Sequence, residues 1–254
     1  MSLLVNLAEV LALIATGVLA GVASTVASLA SVVSYPVLLA FGLSPVSANV
    51  TNTVALVFTG VGAAAGSREE LAGQGARVRR LGMLTAAGGA AGAALLLLSP
   101  ARAFQFVAPC LIGAASLLLI VQPMITGLAA RPDGERSPLL RAALFAVAVY
   151  VGYFGAAGGI LALTVLTAML DMPLARINAV KNVVSGLANA AASVAFAVFG
   201  PVQWAVAAAL AAGFLLGGWI GPALVRRLPA RALRVVIGAC GLALAVALGV
   251  RTYR

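Results

Sequence analysis

The chain has 254 residues, of which 63% are hydrophobic and only 9% are charged. A soluble domain of this length needs far more charged side chains to cover its surface, so the composition excludes an ordinary soluble protein. Basic residues outnumber acidic ones by 16 to 6, but they gather in short loops between apolar stretches, which indicates membrane orientation rather than nucleic-acid binding. The sequence contains no histidine, which excludes a His-based catalytic triad and a His-ligated metal site.

Several stretches of about 18 or more residues carry no charge, which is typical of membrane-spanning helices. These stretches lack the polar–apolar alternation of a membrane β-barrel. We therefore predict an all-α integral membrane protein with ten helical segments. Five lie in the first half, at about 4–23, 28–42, 46–65, 81–98 and 103–125, and five in the second, at about 139–156, 158–170, 174–199, 202–223 and 232–250.

An internal repeat relates the two halves. The stretches "GGAAGAALLLLSPARA" (88–103) and "GGWIGPALVRRLPARA" (217–232) align without a gap, 129 residues apart, and Asn49 and Asn178 stand at the same offset. One register that holds at two separated places indicates a duplication. The expected organisation is a first membrane repeat at 1–128, a linker at 129–138 and a second membrane repeat at 139–254.

The distribution of arginine predicts that the two repeats are inverted. The loop after the third segment carries four arginines in the first half, and its counterpart at 199–204 carries none. The loop after the fourth segment has only Arg102 in the first half, whereas its counterpart has four arginines. Basic loops mark the cytoplasmic side of a membrane, so this exchange is what an inverted repeat requires. In the cell (inner) membrane, the expected cytoplasmic loops are 66–80, 126–141 and 226–234.

The second segment of each half is short for a full crossing and follows a small or glycine-rich stretch. Short segments at matching positions of two halves point to a transporter's binding site. Each is accompanied by polar residues, which at membrane depth usually face the bundle interior or an aqueous cavity. The candidate substrate-binding residues are Ser28, Ser31, Asn49, Thr51, Asn52 and Thr53 in the first half, and Gly155, Gly158, Gly159, Asn178, Lys181 and Asn182 in the second.

Lys181 gives the sharpest hypothesis, because lysine is among the residues least often buried without a partner. Asn178 and Asn182 are four residues apart and share a helix face, which Lys181 borders. A compact ammonium group suits a small oxyanion, so we expect Lys181 to be the charge partner of an anion. The alternatives are that Lys181 extends to the membrane surface, and that the other polar side chains only bond their own or neighbouring helices.

Two motifs resemble those of a known permease family. "SVVSYPVLLAFGLSPVSANVTNTVAL" (31–56) resembles the first-half motif of the sulfite exporter TauE/SafE family, and "GYFGAAGGI" (152–160) followed by "DMPLARINAVKN" (171–182) resembles its second-half motif. The resemblance covers nearly the whole chain except the linker. Family members commonly have three glycines just before the first-half serine, where this chain has "SLAS" (28–31). The resemblance implies export or exchange of a small sulfur-containing anion, such as sulfite or an organosulfonate.

These observations favour a secondary transporter of a small anion, with access alternating around a midplane site between the two repeats. The chain has no GxxxxGK[ST] nucleotide-binding signature, so an ion gradient is the expected driving force, with protons as the candidate coupling ion. The expected partners are the anion and membrane lipid, without cofactor or nucleic acid, and the oligomeric state stays open. Two alternatives remain: a non-transporting scaffold or assembly subunit, and an intramembrane enzyme with a serine–lysine dyad that uses Lys181.

Overall fold

The structure is a computed structural model that describes residues 6–27, 30–100, 102–104, 106–107, 110–111, 113, 134–156, 158–225 and 246. Within these residues the regular structure is helical, apart from turns, and includes no strand. A 3-10 turn at Gly134–Arg136 precedes the second half. In chain order, the helices are α1 (Leu7–Ala27), α2 (Ala30–Ala40), α3 (Pro45–Gly66), α4 (Arg68–Leu71), α5 (Gly75–Leu98), α6 (Pro138–Tyr153), α7 (Gly158–Met169), α8 (Leu174–Phe199) and α9 (Trp204–Val225).

The prediction of an all-α integral membrane protein is confirmed. Five of the described helices, α1, α3, α5, α8 and α9, contain stretches that are long and apolar enough to cross a membrane. The bounds of α8 equal the predicted ones, whereas α5 begins at Gly75 rather than at 81, because the basic stretch before 81 continues the helix. The predicted segments at 103–125 and 232–250 fall largely outside the described residues.

Local sequence signals set the ends of several helices. Ser44 precedes α3 and accepts a hydrogen bond from the main-chain N–H of Ser47 at 3.3 Å, and Pro45 occupies the first turn. Ser137 and Pro138 begin α6 in the same way. Serine followed by proline is a favoured helix start, because the hydroxyl binds an open N–H and proline has no N–H to satisfy.

The short second segment of each half is a short helix. With 11 residues in α2 and 12 in α7, these helices extend about 17 to 18 Å, against a hydrocarbon core of about 30 Å. Gly155, with a φ of 72°, makes the break between α6 and α7. An L side chain is disfavoured at this φ, so glycine at 155 allows the chain to turn where the two helices meet.

Helices of the two halves pack in a crossed pattern. At the offset of 129 residues, α1 corresponds to α6, α3 to α8 and α5 to α9. The first helix, α1, packs against α9, and its counterpart α6 packs against α5. Likewise, α3 packs against α9 and α8 packs against α5, while α3 and α8 contact each other at the centre. Each half is therefore completed by helices of the other.

Glycines allow close contacts between these helices. In α1, a Cβ atom added at Gly21 would lie 3.0 Å from the Cα of Gly217 in α9. At the centre, a Cβ atom added at Gly60 of α3 would lie 2.9 Å from the Cα of Gly186 in α8. Lipid tails are as apolar as the side chains themselves, so moving an apolar side chain from lipid into the bundle gains little free energy. Small residues let the main chains approach closely, and the resulting van der Waals contacts stabilise the bundle.

Two clusters of buried apolar residues occupy opposite ends of the bundle. Helix α8 begins in the smaller cluster, with Ile177 and Val184, and ends in the larger one, with Ala192 and Phe196. Helix α5 also passes from the smaller cluster at its start to the larger one at its end. Lys181 lies in the part of α8 that belongs to the smaller cluster, between Val180 and Val184.

Candidate functional site

A cavity of about 60 Å³ lies between the two halves. It is bounded by α1 and α2, by α6 and α7, and by the middle of α3 and α8. Because about 10 to 15 Å³ is enough for one water, the cavity has room for a small polyatomic ion or a few waters. Its lining residues are Ser24, Ala30, Ser31, Leu56, Thr59, Gly60, Val151, Gly155, Gly159, Lys181, Asn182, Ser185, Gly186 and Asn189.

Lys181 is the only lysine of the chain, and all other basic residues are arginines. Its side chain is only 2% exposed and lines the cavity. A lysine that extended to the membrane surface would expose its ammonium group, so the structure favours the interior position. In the described part of the chain, the cavity lining includes one basic side chain and no acidic one.

Asn182 and Thr59 face the cavity from α8 and α3. They are 8% and 5% exposed. Within the described residues, neither Nδ2 of Asn182 nor Oγ1 of Thr59 has a hydrogen-bond partner. Buried polar groups are almost always paired, so two such groups at one cavity mark the place where a polar ligand can bind.

Asn49 and Asn178 join the two halves instead of lining the cavity. The Nδ2 of Asn49 donates to the carbonyl of Tyr153 at the end of α6, at 3.0 Å. The Nδ2 of Asn178 donates to the carbonyl of Thr25 in the last turn of α1, also at 3.0 Å. Carbonyls in the last turn of a helix lack partners in their own helix, so each asparagine satisfies a helix end of the opposite half.

Asn52 lies in a closed network of side chains. Its Nδ2 donates to Oγ of Ser31 at 3.1 Å, and its Oδ1 accepts from Oγ of Ser34 at 2.6 Å. Asn52 and Ser34 do not line the cavity, whereas Ser31 does. This network therefore holds Ser31 in place at one edge of the cavity.

The remaining predicted residues are divided between structural contacts and the cavity. Thr51 accepts a hydrogen bond from the main-chain N–H of Gln203 at 3.0 Å, and Thr53 donates to a carbonyl of its own helix. Gly155 and Gly159 line the cavity, whereas Gly158 packs against a valine side chain. Ser28 lies outside the described residues.

The comparisons with known proteins place the chain in a family. The model of the family described as "Sulfite exporter TauE/SafE" matches residues 13–248. The chain belongs to the sulfite exporter TauE/SafE family. The resemblance inferred from the two motifs is thereby confirmed over nearly the full chain. Neither the curated proteins nor the solved structures gave a match.

Membership of the TauE/SafE family makes the chain a membrane permease of a family named for sulfite export. A transporter family is consistent with the expectation that the chain is not an enzyme. The match covers both halves, so it includes the cavity and every residue that lines it in the described part of the chain.

In α3 and α8 of this TauE/SafE family member, the sequence prediction missed Thr59, Ser185 and Asn189, which line the cavity. Helical spacing could have found them. Ser185 and Asn189 follow Asn182 by three and seven residues, and Thr59 follows Asn52 by seven, which in both helices keeps them on one face. The sequence prediction concentrated on the first turns of the long helices, whereas the cavity extends to their middle.

Proposed function

We propose that the protein is a secondary transporter of a small anion, sulfite or an organosulfonate, and that the cavity is its binding site. The observation that carries this proposal is the buried position of Lys181 in a cavity whose described lining has no acidic side chain. Ionisable side chains inside a membrane protein are costly and usually mark a substrate or ion pathway. A single positive charge in this position favours an anion.

The choice of lysine also favours a small anion. An arginine guanidinium is a planar fork that matches two oxygens at once, whereas an ammonium group is a compact charge with three donors. In a cavity of about 60 Å³, the smaller group leaves more room for the ligand. The neutral groups of Asn182, Ser31 and Ser185 line the same cavity and can replace part of the anion's hydration.

We further propose two inverted repeats, 1–128 and 139–254, joined by the linker 129–138. The crossed packing of the helices supports this organisation, as do the equivalent hydrogen bonds of Asn49 and Asn178. Because Asn49 and Asn178 each bind a helix of the other half, a movement of one repeat against the other would open the cavity to either side in turn.

The proposed orientation in the cell membrane has loops 66–80, 126–141 and 226–234 in the cytoplasm. Arg77 donates to Glu135 through Nη2 at 3.2 Å, so the first two of these loops meet at one end of the bundle. The loop at 199–204 has no charge and contacts the start of α3, where Ser47 donates to the carbonyl of Pro201 at 2.8 Å. Labelling of single cysteines at 78 and 229 from opposite faces of the membrane would contradict this orientation.

Protons are the coupling ion that we propose. Lys181 is the basic side chain that lines the cavity, and lysine, unlike arginine, can release a proton within a protein. An imposed pH gradient should therefore change the initial rate of sulfite flux in proteoliposomes. A rate that does not change with pH gradients of either sign would exclude protons as the coupling ion. It would not contradict the proposal that the cavity binds an anion.

The proposal is tested with Lys181→Met in proteoliposomes loaded with labelled sulfite. Methionine keeps the length and removes the charge, so flux should fall by at least 100-fold while expression and melting temperature stay near those of the parent protein. Arg176→Met is the matched control, because Arg176 is a cation of the same helix that is exposed at its start. Equal flux for Lys181→Met and the parent protein would show that the site is wrong.

A further inference from the structure

The hydroxyl of Thr59 differs from those of the other threonines. Each of the other threonines in the described part of the chain makes a hydrogen bond, six of them by donating to a main-chain carbonyl. The hydroxyl of Thr59 has no such bond, although the side chain is buried. Threonine in a helix usually bonds the carbonyl one turn earlier, so at Thr59 the hydroxyl is left free for another partner.

Helix packing places Thr59 between α9 and the cavity. On one side, the main chain of Thr59 lies against α9, because a Cβ atom added at Gly218 would be 2.6 Å from the Thr59 carbonyl oxygen. On the other side, Thr59 lines the cavity next to Gly60, which touches Gly186 of α8. Thr59 therefore lies beside the glycine contact of the two central helices, in the half of the chain that does not carry Lys181.

We infer that Thr59 is a substrate-contacting residue whose hydroxyl donates a hydrogen bond to an oxygen of the bound anion. This inference rests on the proposed function. Asn182 would donate through Nδ2 from the other half, and Lys181 supplies the charge. The ligand class that fits is a compact oxyanion with oxygens directed to more than one side, so that α3 and α8 each bind one of them.

The test compares Thr59→Val with the parent protein, using sulfite as the probe. Valine has nearly the same shape and lacks only the hydroxyl, so the dissociation constant of sulfite should rise roughly 10- to 100-fold, as for loss of one hydrogen bond to a charged group. Without anion, the melting temperature should stay equal or rise, because an unpaired buried hydroxyl has been removed. A structural role predicts the reverse: a lower melting temperature and an unchanged dissociation constant.

Two controls define the role of the hydroxyl. Thr59→Ser keeps it and should bind sulfite within a few-fold of the parent protein. Thr164→Val removes a hydroxyl that bonds its own helix at 3.0 Å, outside the cavity, and should leave sulfite affinity unchanged.

The binding of sulfite to Lys181→Met separates failure of this inference from failure of the proposed function. If Lys181→Met loses sulfite binding and Thr59→Val does not, the role of Thr59 is wrong, whereas the proposed binding site is supported. If both variants bind sulfite as the parent protein does, or the parent protein binds neither sulfite nor an organosulfonate, both the proposed site and the role of Thr59 are wrong.

Discussion

Asn52 in the first half and Lys181 in the second are 129 residues apart, at equivalent positions of the proposed repeat, yet their surroundings differ. Asn52 bonds Ser31 and Ser34 and does not line the cavity. At the positions equivalent to these serines, the second half has two apolar residues, Ile160 and Leu163, and Lys181 lines the cavity.

Under the proposed duplication, the comparison indicates how two related halves can give a cavity with a single charge. The asparagine pair that joins the halves, Asn49 and Asn178, is retained in both repeats. Three residues further along, one repeat has a neutral amide held by serines and the other has an ammonium group. Lysine in both repeats would bring two like charges into one bundle, which is costly at membrane depth.

The reciprocal exchange of these two residues has the largest expected effect. Lys181→Asn makes the second half resemble the first, so sulfite flux in proteoliposomes should fall by at least 100-fold while the protein still folds. Asn52→Lys buries a second cation, which costs several kcal/mol, so the yield of folded protein should fall sharply. A well-folded Asn52→Lys variant would show that the surroundings of Asn52 are less restrictive than the structure indicates.

Removal of the first-half network has an intermediate effect. Asn52→Ala deletes two side-chain hydrogen bonds, and each such bond between membrane helices contributes about 0.6 to 1.7 kcal/mol, so stability should fall by about 1 to 3 kcal/mol. Unfolding in a mixed-detergent titration measures the change. If Asn52 instead contacts the ligand, Asn52→Ala will also raise the dissociation constant of sulfite.

The smallest effects are expected for Asn49→Ala and Asn178→Ala. Each variant loses one hydrogen bond between the halves, so each should lose about 0.6 kcal/mol of stability in the same titration. Because the two bonds are equivalent, the two losses should be similar. A large loss of sulfite affinity in Asn178→Ala alone would show that the two asparagines are not equivalent and that Asn178 contacts the anion.

Much of the fold could be predicted because each signal is local. Uncharged runs define the long helices, and the third segment, predicted at about 46–65, is α3 at Pro45–Gly66. The start of α5 could not be predicted from the position of the arginines, because arginines at the membrane surface can lie in the first turns of a helix as well as in the loop before it. The crossed packing depends on which glycine faces which, and a single sequence does not carry that pairing.

The site could be predicted in part. Lys181 and Asn182 were found because polarity at membrane depth is conspicuous, and both line the cavity. The engagement of Asn49 and Asn178 by main-chain carbonyls could not be foreseen, because those carbonyls belong to the opposite half. Thr59 was missed since most threonines in such helices bond their own main chain, and only the surrounding packing distinguishes this one.

At Gly60 and Gly186, the two central helices meet main chain to main chain, without side chains that interlock. Such a contact can serve as a pivot. Pro45, at the start of α3, lies fifteen residues from Gly60, a lever arm of about 22 Å, so a tilt of about 10° would displace that end by about 4 Å. Thr59 and Asn182, close to the pivot, would scarcely move. The ends of the bundle could then open or close while the residues proposed to bind the anion keep their relative positions.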